Sequence, residues 1–257
     1  MPYKAKTLTG YTLHSLDGEI GKVKEFYFDD HHWTIRYLVA DTGNWLTGRQ
    51  VLIPPHALVA VNKEEQYISI NLTKKKIKDS PPLDSDKPVS LQFEDSFYGY
   101  YGSLAYWGGG SYMAGTNPSV NMSGRNDREF NQGDKAWNPH LRSTHTVSGY
   151  NIQAVDGDIG HVADFIIDDE TWVIRYLIID TRNWLPGKKI LVSPQWIESV
   201  IWNDSKVSVN LLCETIRQSP EYTDESLLTR NYETELHRHY DRKGYWIDES
   251  ADADKED

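Results

Sequence analysis

Trp33, Ile35, Tyr37 and Val39 fall on alternate residues, the period of a β-strand with one face against a core. Trp172, Ile174, Tyr176 and Ile178 repeat the pattern further along the chain. The positions between them carry Arg36 and Leu38, matched by Arg175 and Leu177, so neither face of this strand is wholly solvated. Shorter apolar runs flank it, separated by turn signals such as Asp17-Gly18, Asp29-Asp30 and Thr47-Gly48. Strands are predicted over 20–28, 33–39, 51–54, 58–61 and 67–72, with Ile68, Ile70 and Leu72 on one side of the last. Short strands divided by tight turns predict an all-β fold, a small barrel of about six strands that buries one face of each strand.

The whole pattern occurs twice. Runs beginning at Gly10 and Gly149, 139 positions apart, match without a gap, with about half of their residues identical. A period this long means two copies of a small domain. The correspondence continues beyond the strands. Ser80-Pro81 aligns with Ser219-Pro220 and Tyr106-Trp107 with Tyr245-Trp246. Between these pairs run Val89, Phe93, Phe97 and Tyr101 in one copy and Leu228, Tyr232, Leu236 and Tyr240 in the other. An i, i+4 stripe predicts a helix after each barrel. Such a helix either covers its own barrel or packs on the other copy and joins the two. The resulting division is a first domain with its helix at 1–107, a Gly/Asn/Ser-rich linker at 108–146, a second domain at 147–247 and an acidic tail at 248–257.

Composition narrows the role more than it identifies it. The 257 residues carry 27 Lys+Arg against 38 Asp+Glu, a net charge of −11. Nucleic-acid affinity comes largely from counterion release by basic side chains, so an acidic chain is a poor candidate for it. The one basic run, Lys74-Lys75-Lys76 with Lys78, reads as solvated surface. No segment approaches the length of an apolar membrane span, and the N-terminus lacks a signal peptide's apolar region. The lone Cys213 excludes an internal disulfide framework and fits a reducing compartment. A cytoplasmic protein is expected.

Candidate chemistry is sparse. Asp17, Asp29, Asp30 and Asp41, with Asp156, Asp168, Asp169 and Asp180, recur in both copies at reversals and strand ends, where Asp completes turns. Asp41 and Asp180 are candidates to pair with Arg36 and Arg175. His31-His32 and His237-Arg238-His239 are the weak candidates for metal ligation, and neither pair recurs in the other copy. Solvated histidines are the competing reading. No nucleophile with a base, phosphate-cradling loop or cofactor motif appears, so no catalytic residue, cofactor or enzymatic activity is expected.

The ordered run Gly10-Tyr11, Asp17-Gly18, Ile20-Gly21, Asp29-Asp30, Trp33 to Leu38, Asn44-Trp45-Leu46 and Leu52 to Pro55 resembles the PRC-barrel family. Its counterpart from Gly149 does so as well. That family includes the cytoplasmic domain of the photosynthetic reaction centre H subunit and the C-terminal domain of the RimM ribosome maturation factors. The resemblance covers about 70 residues in each copy, without the H subunit's membrane helix. It implies a β-barrel acting as an assembly or docking module, here a non-enzymatic scaffold for an unknown protein partner, with homo-oligomerisation left open. The alternatives are a small-molecule or metal-binding protein, and an RNA- or ribosome-associated factor of RimM type.

Overall fold

The computed structural model describes residues 2–81, 97–102, 140–181, 188–223 and 228–247. The strands of the front half are β1 (Tyr3–Lys4), β2 (Thr12–Ser15), β3 (Gly18–Asp29), β4 (Thr34–Asp41), β5 (Gln50–Ile53), β6 (Leu58–Asn62) and β7 (Tyr67–Ile70). Those of the rear half are β8 (Leu141–Ser143), β9 (Asn151–Ala154), β10 (Gly157–Ile167), β11 (Ile174–Asp180), β12 (Lys189–Val192), β13 (Ile197–Ile201) and β14 (Lys206–Val209). They form two sheets of the same order, β5-β4-β3-β2-β7-β6 and β12-β11-β10-β9-β14-β13. All neighbours are antiparallel except β2 with β7 and β9 with β14. The predicted all-β class and duplication stand.

Each sheet is an open path among the described residues, with no ladder between its two end strands. The ends of the front sheet, β5 and β6, are joined by the 3-10 turn Pro55–Ala57 instead. Proline there has no N–H to offer a ladder. Pro194–Trp196 does the same in the rear half.

Bulges present at equivalent positions of both halves set which side chains reach the core. Between β3 and β4 the register passes from Tyr27↔Tyr37 to Phe28↔Ile35, leaving Arg36 as the extra residue. Arg175 is its counterpart between Ile166↔Tyr176 and Ile167↔Ile174. The strict alternation expected from Trp33 to Val39 is therefore broken. Ile35 joins Leu38 and Ala40 in the main core, while Tyr37 and Val39 turn to the opposite face. A bulge reverses the facing of everything beyond it. Trp33 and Trp172 are not strand residues at all. Both adopt the left-handed backbone region, with φ of 52° and 57°.

Beyond the sheet, residues 97–101 form a helical turn whose Phe97 packs edge-on to Tyr37 at 5.0 Å. In the rear half the helix Arg230–His239 buries Glu233, Leu236 and His237, and the ring of Tyr240 lies 4.7 Å from Trp196. Each trailing helix thus covers its own half. Val89, Phe93, Tyr106-Trp107, the stretch 108–139 and the tail 248–257 lie outside the described residues.

What joins the halves is an exchange of N-terminal arms. β1 precedes the front sheet yet pairs with β10, as Tyr3↔Ile167 and Lys4↔Ile166. β8 precedes the rear sheet yet pairs with β3, as Arg142↔Phe28 and Ser143↔Tyr27. These two ladders correspond residue for residue at the 139-position shift. The strand Leu141–Ser143 and the first three residues of the helical turn Thr144–Val147 fall within the stretch that composition assigns to the linker. That boundary is corrected: the rear copy begins before Leu141.

A pseudo-twofold axis passes through the bridge Thr34↔Val173, which are equivalent positions. The Ile35 N–H donates to the Trp172 carbonyl at 2.8 Å, and the Ile174 N–H to the Trp33 carbonyl at 2.7 Å. The left-handed tryptophans aim these carbonyls across the axis. Phe28 lies 5.7 Å from Phe165 and Phe26 6.3 Å from Trp172 by ring centroids. Apolar residues of both halves consequently form one continuous core. This is an isologous interface of the kind a homodimer makes, built within one chain.

Candidate functional site

The bulges that shape the sheets also place the repeated acids. Arg36, the bulged residue, reaches Asp29 with Nη2 2.9 Å from Oδ2. Arg175 reaches Asp168 at 3.3 Å. The expected pairing of these arginines with Asp41 and Asp180 is therefore corrected to Asp29 and Asp168, one turn earlier, because the bulge swings each arginine back toward the reversal. The other oxygen of each acid caps that reversal. Asp29 Oδ1 accepts the His31 N–H at 2.7 Å, and Asp168 Oδ1 accepts those of Glu170 and Thr171. Burial pushes the Asp29 and Asp168 carboxyls up, but these donors and their arginines outweigh it and hold both below the usual carboxylate range. Asp17 accepts the Lys74 N–H at 2.6 Å and Asp156 that of Cys213 at 2.7 Å, so each ties a hairpin to a short helix. Asp41 caps Gly43. The repeated acids are turn and strand-end pieces, as their sequence contexts suggest.

Cys213 starts the helix Cys213–Arg217. Burial and the nearby Asp156 raise its thiol pKa, the reverse of an activated nucleophile. The basic run is likewise engaged. Lys76 Nζ donates to the Tyr100 carbonyl at 3.1 Å and lies 4.6 Å from that ring's centroid, and Lys74 lies 5.7 Å from the Trp45 ring.

The rear histidines have structural duties. His237 is buried, at 2% exposure, not solvated. Its Nδ1 donates to the Lys243 carbonyl at 2.8 Å, and its Nε2 lies 3.0 Å from the Tyr176 hydroxyl. Tyr176 and Tyr245 both donate to Glu233 Oε1, at 3.0 and 2.8 Å, and Arg230 pairs with Oε2 at 3.0 Å. His239 Nε2 donates to the Thr215 carbonyl at 2.7 Å. Neither ring joins a ligand cluster among the described residues. The periodicity expected of an i, i+4 stripe missed this polar network because Glu233 and His237 share the buried face with Leu236.

Burial pushes the His237 pKa below that of a free imidazole, more than the Lys243 carbonyl and Glu233 restore. The unfolded chain then binds more protons than the folded one as pH falls through about 6.5, so His237 costs stability on acidification. His56 is lowered by burial in the same sense. Urea unfolding of the intact chain should show a midpoint that falls from pH 7 to pH 5, and His237→Gln should flatten that fall. An unchanged slope in the variant would show that this ring is not held neutral.

One solvent-open feature that both halves build is a cleft of about 710 Å3 beside the pseudo-twofold axis. Asp30, His31, His140 and Arg142 line it together with Arg175, Gln195 and Glu198. Arg142 lies 3.1 Å from Asp30 through Nε, close but poorly aligned for a hydrogen bond, and its guanidinium lies 4.2 Å from the Trp202 ring centroid. Arg175, also in the lining, lies 4.1 Å from the ring of Tyr245. The structure thus separates the two sequence-predicted front histidines. His32 turns to Asp29, with Nδ1 3.0 Å from Oδ2, whereas His31 stacks edge-on to His140 at 4.1 Å. His140 was invisible as a site residue because the arm exchange that brings it here joins positions 110 residues apart.

The model of the PRC-barrel domain family matches residues 3–77, which span β1 to β7 and most of the helix after them. No curated protein matches the chain. At the family level the match suggests a scaffold or interaction module. No helix among the described residues is long and apolar enough to cross a membrane.

Proposed function

We propose that the chain is a non-enzymatic scaffold in which two PRC-barrel-like copies, fused as a pseudo-dimer, present one protein-binding surface across their junction. The reciprocal exchange of β1 and β8 carries this reading. It fixes two copies of an interaction module at one relative orientation and leaves a cleft lined by both. A surface that requires both copies is a reason to keep them in one chain. The repeated acids other than Asp30, and the buried His237, support the reading from the other side, since their polar atoms serve turns, caps and internal pairs.

Full-length protein used as bait under native conditions, with nuclease present, should retain one protein in near-stoichiometric amount. Gln195 and Glu198 are exposed on the cleft wall, so the double variant Gln195→Lys/Glu198→Lys should keep the wild-type melting temperature and lose most of that capture. Capture that disappears with nuclease in the wild type would replace this reading with an RNA-associated one. Equal capture by wild type and variant would move the binding surface off the cleft.

A further inference from the structure

The geometry points to a binding site for a divalent transition-metal ion formed by Asp30, His31 and His140 at the junction of the two halves. One donor atom from each lies within 4.8 Å of the other two. His140 Nδ1 is already 3.0 Å from Asp30 Oδ1. Ligands of a tetrahedral zinc ion with bonds of 2.0–2.1 Å sit about 3.3 Å apart, so this pair needs little adjustment and the exposed His31 ring closes the set by rotation. The backbone beneath is fixed. The Asp30 N–H donates to the His140 carbonyl at 2.9 Å, continuing the β3–β8 ladder, and the His31 N–H is held by Asp29.

The chemistry of the donors selects the ion. Two imidazoles and one carboxylate suit Zn2+, Co2+, Ni2+ or Cu2+ rather than Ca2+ or Mg2+, which prefer oxygen. Arg142 stays on the far oxygen, Oδ2, held over Trp202, where it orients the carboxylate as an outer partner. A fourth position faces the open cleft.

Repetition within the chain separates this cluster from the residues the fold demands. Asp29, Arg36 and the tryptophans of the turn recur at Asp168, Arg175 and Trp172, and they build both reversals. His31 becomes Glu170, and the position corresponding to His140 is Met1. The rear reversal closes without either imidazole, so neither is needed for folding. The inference is independent of the scaffold reading. A bound ion would link the front reversal to the arm of the rear copy, clipping the exchange.

Titration of untagged, chelator-stripped full-length protein with Zn2+, followed by calorimetry, should give one equivalent bound. Co2+ in its place should give the visible absorption of a low-symmetry site. His31→Ala and His140→Ala should each weaken Zn2+ binding by more than the roughly 10- to 100-fold that losing an outer-shell partner costs. His32→Ala and His239→Ala should leave it within about twofold. At a hundredfold excess over its dissociation constant, Zn2+ should raise the melting temperature by about 5 °C or more, and not in His31→Ala. The absence of saturable one-to-one binding, or binding that survives both His31→Ala and His140→Ala, would overturn the site. Both rings are on exposed positions, so these variants fold.

Discussion

A chain cut between its two copies should stay in one piece. With a protease site placed within 108–139 and cleaved after folding, the two fragments are expected to co-elute as a one-to-one complex on size exclusion. They should part only in denaturant and reassociate on its removal, with a dissociation constant on the order of micromolar or tighter. Each fragment alone would leave a partner strand unpaired and expose part of a shared core, since β3 takes β8 and β10 takes β1. Specific side-chain bonds cross the same boundary. The Lys6 N–H donates to Asp164 at 3.1 Å, the Phe26 N–H to Thr144 Oγ1 at 3.2 Å, and the Ser143 hydroxyl to Glu25. A front fragment expressed alone can satisfy β3 by exchanging its own arm with a second copy, so it should dimerise rather than remain monomeric. Two fragments that elute as independent monomers after cleavage would refute the exchange.

The two halves solve one problem with different residues, which shows why the exchange was hidden from the sequence. The bulges at Lys24 and Ala163 break the β3–β4 and β10–β11 ladders. The N–H groups of Phe26 and Phe165 then turn to side-chain oxygens. Phe26 finds Thr144 on the other half's arm, whereas Phe165 uses its own neighbour Asp164 at 2.8 Å, which also takes Lys6 from the incoming arm. Alternating apolar positions and turn dipeptides report local facing and reversal, so most strand positions, the duplication and the rear trailing helix could be read directly. Partner choice between two near-identical sheets is not a local property. Two-residue and three-residue arms carry no periodicity that could announce it. The same limit applied to the cluster at the cleft: His31 was a visible candidate, but adjacency suggested His32 as its companion, and the turn sends the two rings to different partners. His140 enters from across the exchange. The buried Tyr176–Glu233–His237 network escaped for a different reason, since polar residues on a covered helix face look solvated until their partners are in place.

Replacing Gly21 or Gly160 with Ala should be among the most damaging single changes in the chain. Both follow an isoleucine that a bulge turns inward. The β2–β3 register passes from Leu13↔Gly21 to His14↔Glu19 and leaves Ile20 over, and Ile159 is left over in the same way. Both isoleucines are fully buried. The glycines hold φ at +132° and +141°, where a side chain is strained. A Cβ on Gly21 would lie 2.0 Å from the Asp41 carbonyl oxygen, and one on Gly160 2.1 Å from that of Asp180. Both obstacles are backbone atoms of the adjoining strand, which cannot rotate away as a side chain would. Strain and overlap together should cost about 4 kcal/mol or more, a fall in melting temperature of roughly 10 °C for a chain of this size. Gly10 and Gly149 supply the control, because their φ values of +88° and +101° carry the strain while nothing lies within 4 Å of an added Cβ. Ala at those positions should cost only about 1–2 kcal/mol. Comparable melting temperatures for Gly21→Ala and Gly10→Ala would mean that β3 does not approach β4 this closely, and the bulge that buries Ile20 would have to be redrawn.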